Sequence, residues 1–158
     1  MVKKKNNLDI DWFQYQHKLR IKTNAERRSV YDVIRKKYVA LTKEELVRQL
    51  VIHYFIETLQ YPRNSIAVEK HIEVNGLKKR FDVVVFTHTL QAWLLVECKS
   101  PEVAVSQDTF RQVSMYNMHF QAAYLMVTNG IENYCAAIDY SQSNYQFLLE
   151  MPSYPALL

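Results

Sequence analysis

Between Ile66 and Lys99 the sequence commits the chain to a β-sheet. Ile66-Ala-Val-Glu-Lys-His-Ile-Glu-Val74 alternates, and a period of two sets Ile66, Val68, Ile72 and Val74 on one face and Glu69, His71 and Glu73 on the other. Asn75-Gly76 follows, a pair suited to the two positive-φ positions of a tight hairpin turn. The returning run Lys78-Lys-Arg-Phe-Asp-Val-Val-Val-Phe86 supplies a second strand. Ala92-Trp-Leu-Leu-Val-Glu-Cys-Lys99 is a third; it is apolar for most of its length and so expected near the centre of the sheet, and Pro101 ends it.

Helices flank this unit. Thr42-Lys-Glu-Glu45 is a capping box in which the threonine hydroxyl takes the Glu45 amide and Glu45 is expected to reach back. Behind it Val47, Leu50, Val51, Tyr54 and Phe55 form one apolar face, which predicts a helix of roughly 18 residues ending before Pro62. Ser106 can cap a second helix, with Phe110, Val113, Tyr116 or Asn117, and Phe120 at helical spacing. Ala123 to Thr128 reads as a fourth strand stopped by Asn129-Gly130, followed by a weaker strand near Tyr134 to Asp139 and a short element near Phe147 to Met151. Upstream, Leu8 to Ile21 reads as one or two short strands, and Tyr31 to Leu41 fits strand and helix equally. The expectation is a single α/β domain with a central mixed sheet flanked by helices, in the order α-β-β-β-α-β, with residues 1–40 as an N-terminal extension packed on it.

Composition narrows the chemistry. With 158 residues the chain needs no second domain, and two glycines leave no room for a glycine-rich phosphate loop. Two cysteines, Cys98 and Cys135, make no disulfide framework and no zinc pair, and the five histidines show no metal-ligand spacing. A net charge of +4 and a pI near 9.0 suit a polyanionic partner, although an ordinary solvated surface gives the same balance. The basic start Met1-Val-Lys-Lys-Lys5 has no apolar stretch behind it and nothing is long enough to span a bilayer, so a cytoplasmic protein without a membrane partner is expected.

Asp82, Glu97 and Lys99 stand where charges are costly, inside apolar strands. Glu97 and Lys99 share a face by period two, and Asp82 can join them if the second and third strands pair. Two converging carboxylates make a hard oxygen site for Mg²⁺ or Mn²⁺, to which the Cys98 carbonyl can add a ligand. A neighbouring lysine can orient or deprotonate a water and neutralise charge on a phosphate, which suits phosphodiester hydrolysis. A buried ion pair of Lys99 with either acid fits the same spacing. Gln112 and Tyr116, at i and i+4 on the second helix, add an amide and a phenol that can hydrogen-bond a phosphate. Lys78, Lys79 and Arg80 lie close enough along the strand to hold flanking phosphates or simply to solvate an edge, and Lys36 and Lys37 offer a weaker version of the same choice.

Asp82, fourteen intervening residues, Glu97-Cys-Lys99 and then Gln112-x-x-x-Tyr116 resemble the PD-(D/E)xK nuclease superfamily in its Gln-x-x-x-Tyr branch. With Tyr31-Asp-Val-Ile-Arg-Lys-Lys37, Leu41-Thr-Lys-Glu-Glu-Leu-Val-Arg-Gln49, Tyr61-Pro62, Lys79-Arg-Phe-Asp-Val-Val84, Leu95-Val-Glu-Cys-Lys-Ser-Pro101 and Thr128-Asn-Gly130, the chain is similar to the N-terminal nuclease domain of type I restriction enzyme R subunits. That resemblance implies a restriction-endonuclease-like fold and a metal-dependent DNA endonuclease. Asp82 and Glu97 would be metal ligands, Lys99 the catalytic lysine and Gln112 and Tyr116 accessory. Phe81 replaces the proline of the superfamily name, and the helicase motor of those subunits has no counterpart here. Partners would be DNA and a second copy or a separate restriction-system subunit. The competing expectation is a catalytically silent DNA-binding or assembly module on the same fold. Within the superfamily an acid from the first helix often reaches the metal. Glu45 and Glu57 are the candidates, with Glu69 on the next strand as a third.

Overall fold

In the computed structural model, which describes residues 5–157, a six-stranded sheet forms the body of the molecule. Its order is β4 (Ile66–Val74), β5 (Leu77–Phe86), β6 (Ala92–Cys98), β7 (Tyr124–Thr128), β8 (Asn133–Asp139) and β9 (Asn144–Phe147). Every pairing is antiparallel except β6 with β7. Parallel neighbours need a crossover, and α2 (Gln107–Asn117) lies in it. Helix α1 (Lys43–Glu57) precedes the sheet. The expected mixed α/β fold and its α-β-β-β-α-β core are therefore present. Residues 1–4 of the basic start lie outside the described residues.

Each helix covers one face. Val47, Val51 and Phe55 of α1 pack with Val83, Val85, Leu94 and Val96, while Phe110 of α2 packs with Val84, Leu95, Leu125 and Val127. Covering both faces is what lets β5 and β6 run apolar without alternation. Asn75 (φ 51) and Gly76 (φ 80) make the expected hairpin turn and pair Val74 with Leu77.

Four local expectations are corrected. Ile66 and Val68 belong to the cluster under α1, but Ile72 and Val74 to the one under α2. Glu69, in the left-handed region at φ 53, interrupts the strand and turns it over, so strict alternation does not carry across it. Helix α1 runs 15 residues instead of roughly 18: Gln60 (φ 56) leaves helical geometry and Tyr61 returns its N–H to the Phe55 carbonyl at 2.9 Å. Instead of strands, Trp12–Lys18 forms a 3-10 helix whose Trp12 ring meets Tyr54 of α1 edge-on at 5.5 Å. Finally, the last strand is Asn144–Phe147, ahead of the expected Phe147 to Met151.

The segment that fitted two readings is a hairpin. β1 (Ile21–Asn24), β2 (Arg27–Asp32) and β3 (Lys37–Ala40) form a separate antiparallel sheet, with Val30 fully buried beneath it. Asp32 closes β2 by accepting the amides of Ile34 and Arg35, both at 2.8 Å. This Asx-type turn is the local reason the chain reverses there.

Candidate active site

The β5–β6 ladder is paired at Val83 with Val96 and goes no further toward Asp82 and Glu97. Asp82 fills the gap: its Oδ2 accepts the Cys98 N–H at 2.8 Å, in place of a backbone partner. Its Oδ1 accepts from Arg48 Nη2 of α1 at 3.0 Å. Cys98 itself is fully buried, and burial pushes its thiol well above the ordinary value, so it is inert as a nucleophile.

Arg48 belongs to a ring of alternating charge. Glu45 takes Arg35 Nη2 at 2.6 Å on one oxygen and Arg48 Nη1 at 2.9 Å on the other. Glu69 takes Arg35 Nη1 at 3.1 Å and Arg48 Nη1 at 3.4 Å in the same way. Asp32 hangs from the ring through Arg35 Nε at 2.7 Å, as Asp82 does through Arg48. Gln49 Nε2 ties Asp32 to Glu45, at 2.9 Å from each. Burial pushes the Asp32 carboxyl up, but the Arg35 backbone and the Gln49 and Arg35 side chains together hold it below its ordinary value. Five carboxylates, counting Glu44 at 3.9 Å from Arg48 Nη2, face two guanidiniums here, and among the described residues the only further cation paired to them is Arg80, exposed and 3.9 Å from Glu69.

Glu97 is served differently. It projects from the face of β6 that carries Leu95, is buried, and is paired with Lys79 of β5. Lys79 Nζ also donates to Asn117 Oδ1 at 3.0 Å and sits 5.0 Å from the Tyr116 ring centre. The Glu97 carboxyl lies above its ordinary value: burial is the main cause, the Lys79 charge opposes it, Asp82 adds to it and Lys99 subtracts. Those contributions place Asp82, Glu97 and Lys99 within electrostatic reach of one another.

Lys99 follows β6, anchored by its N–H to the Thr128 carbonyl at 2.8 Å. Thr128 is fixed in turn by the Asn129-Gly130 turn: its Oγ1 takes the Gly130 N–H at 3.0 Å and donates to Asn133. Gly130 (φ 83) packs against Val47, where a Cβ would come within 3.3 Å of that side chain. Among the described residues the Lys99 ammonium has neither a hydrogen-bond nor an ion-pair partner. Gln112 and Tyr116 lie on the exposed side of α2, with Tyr116 joined to Glu97 through Lys79.

The remaining expected residues divide. Glu45 has its amide capped by Thr42 at 3.0 Å, but its carboxylate turns to the two arginines instead of closing the capping box. Glu57 is at the opposite end of α1, 3.7 Å from Lys18, and takes no part. Of the basic triplet, Lys79 turns inward to Glu97, whereas Lys78 and Arg80 stay exposed on the other face of β5. Sequence reasoning missed Asp32, Arg35, Arg48 and Gln49. The available signal was Glu45, Arg48 and Gln49 at i, i+3 and i+4, a polar stripe inside a helix whose other faces are apolar.

Among the described residues no three His, Cys, Asp or Glu side chains converge as a ready-made metal cluster. The donor chemistry nevertheless fits a hard divalent cation: two carboxylates, one of them buried enough to require a counter-charge, beside a backbone carbonyl at Cys98. A family profile described as type I restriction enzyme R protein N terminus matches residues 43–152. The chain belongs to that family. The matched span runs from the first residue of α1 past the last strand, so every residue of the site except Asp32 and Arg35 falls inside the family region. None of the curated proteins matches. Among solved structures, a fragment assigned as an HsdR subunit of a type I restriction enzyme from Vibrio vulnificus YJ016 is similar over 72% of this chain and 24% of its own, with 17% identity and a TM-score of 0.48. The chain thus spans about a quarter of that fragment.

Proposed function

We propose that this domain of the R-protein family is a divalent-metal-dependent DNA endonuclease module whose working residues are Asp82, Glu97 and Lys99. The observation that carries the reading is the break in the β5–β6 ladder, which puts two carboxylates and an unpaired ammonium at the open end of an otherwise apolar sheet. Asp82, Glu97 and the Cys98 carbonyl would hold Mg²⁺ or Mn²⁺, which supplies Lewis-acid polarisation of the phosphate when bound. Lys99 neutralises charge building on the phosphate oxygens and orients the attacking water through its N–H groups. That water releases a proton to solvent as it forms the new P–O bond, the ester P–O bond breaks, and the departing alkoxide takes a proton from solvent. Tyr116 and Gln112 donate hydrogen bonds to the phosphate from the exposed face of α2. Lys79 supplies the counter-charge that favours the ionised form of Glu97, a charge that a bound cation would also supply. Glu45 serves as the clamp of Arg48, a role that replaces direct metal ligation.

A second reading is a catalytically silent DNA-binding or assembly module. It is favoured by one feature: Arg48 and Lys79 already neutralise both acids. Incubation with supercoiled and linear DNA in Mg²⁺, Mn²⁺ or EDTA separates the two. The nuclease reading expects metal-dependent cutting by the wild type and none by Lys99→Ala. Absence of cutting by the wild type at low salt and high protein concentration sinks it in favour of the second.

A further inference from the structure

Residues 18–37 carry eight basic and two acidic side chains, a net of +6, in a chain whose total is +4. All the surplus positive charge therefore belongs to one segment, and the rest of the molecule is net negative. Most of that segment forms the three-stranded sheet ahead of α1, which precedes the region matched by the family profile at residue 43.

The register of the sheet sorts its side chains. Ile21, Val30 and Val39 are aligned on one face, which is the inner one because Val30 is fully buried and Val39 half-buried, while Ile21 lies at its exposed edge. The outer face holds Lys22 opposite Ser29, Arg27 opposite Asn24, and Tyr31 opposite Tyr38. The two tyrosine rings meet edge-on with centres 5.2 Å apart. Arg20 lies over the Tyr31 ring at 3.8 Å and Lys22 over the Tyr38 ring at 4.0 Å. Each cation is thereby held in place by an aromatic face while its N–H donors stay open to solvent, which lowers the ordering cost of binding an anion. The exposed Glu26 at the β1–β2 turn is the only acidic residue from Lys18 to Tyr31.

We infer that this outer face is a docking surface for the phosphate backbone of DNA, separate from the cutting residues and feeding them. The inference rests on the nuclease reading for its choice of polyanion. Continuity is what favours DNA over an acidic protein: β2 ends at Asp32 and the β2–β3 turn carries Arg35, whose guanidinium touches Glu45 and Glu69. Those two acids hold Arg48 against Asp82. A strand lying on Arg20, Lys22 and Arg27 thus rests on an element bolted to the carboxylate site. The interaction takes phosphates and specifies no base sequence.

The test is binding of a fluorescein-labelled DNA duplex to the whole protein in EDTA, followed by anisotropy across a salt series. One variant combines Arg20→Gln, Lys22→Gln and Arg27→Gln. A charge-matched control combines Lys43→Gln, Lys70→Gln and Arg111→Gln, exposed cations off this sheet. The outer-face variant is expected to lose at least about tenfold in affinity at low salt and to flatten the salt slope by about 0.9 for each phosphate contact removed. The control is expected to stay within about threefold of the wild type, and circular dichroism melting should show both variants folded. Equal binding by wild type and outer-face variant overturns the inference, as does an equal loss in the control. So does competition by poly-glutamate as effective, charge for charge, as unlabelled DNA. Because EDTA removes cutting from the readout, a protein that binds through this face yet never cleaves sinks the nuclease reading alone. One that cleaves while the outer-face variant binds normally sinks only this inference.

Discussion

The two acids of the site are held by opposite kinds of surroundings. Asp82 is gripped from α1 by a closed ring of two arginines and two glutamates, of which Arg48 and Glu45 are buried and Arg35 and Glu69 half-buried. Glu97, one strand away, depends on a single lysine, with an exposed tyrosine and glutamine beyond it on α2. One half of the site is therefore scaffold, and the other is free to respond. Planar guanidiniums binding two carboxylates at once fix geometry, whereas one flexible ammonium is readily exchanged.

Removing a member of the ring should therefore cost most. Arg48→Ala leaves Glu45 and Asp82 without their shared partner and is expected to lose about 3–5 kcal/mol in urea unfolding. Lys79→Ala is expected to lose only about 1–2 kcal/mol, because Glu97 can accept a proton instead. Equal losses would erase the contrast between the two halves.

Acid should attack the same half next. Asp32 is held below its ordinary value, so its stabilisation is present above the unfolded carboxylate pKa of about 4 and is lost as pH falls through the folded value. Asp32→Asn should lower stability at pH 7 and flatten this acid limb, measured as melting temperature against pH.

His53 makes a smaller, separable contribution. It is buried in α1 and burial depresses its pKa, with Glu57 opposing and Arg63 assisting. Only the unfolded chain then takes a proton just below about pH 6.5, so stability falls as pH drops from there toward the depressed folded value. His53→Phe should abolish that step while leaving the Asp32 limb; a step that survives would place it elsewhere.

On the open side the expected effects are on function. Burial raises the Glu97 carboxyl above its ordinary value and holding a cation needs its ionised form, so cutting should rise with pH as Glu97 ionises, and Glu97→Gln should remove both the cutting and the limb. Tyr116→Phe, which deletes one hydrogen-bond donor, is expected to slow cutting by about tenfold without changing stability.

The sheet and both helices were legible because their signals are local: Asn75-Gly76 for the hairpin, Thr42 and Ser106 as caps, and apolar runs at the proper spacing. The three working candidates could be singled out since charges inside apolar strands are conspicuous. What was not legible depends on distant partners. Arg35 meets Glu69 across 34 residues and Arg48 meets Asp82 across another 34, and no local pattern announces such pairs. Likewise Glu69 reads as one more alternating polar residue, and its left-handed backbone, which turns β4 over, is visible only once the strand is built.

The central claim is that acids from these two unlike halves serve one cation. Calorimetric titration of the wild type, Asp82→Asn and Glu97→Gln with Mn²⁺ tests it most directly. One binding event is expected in the wild type, and either substitution should remove it. Binding that persists at wild-type strength in either variant would contradict it.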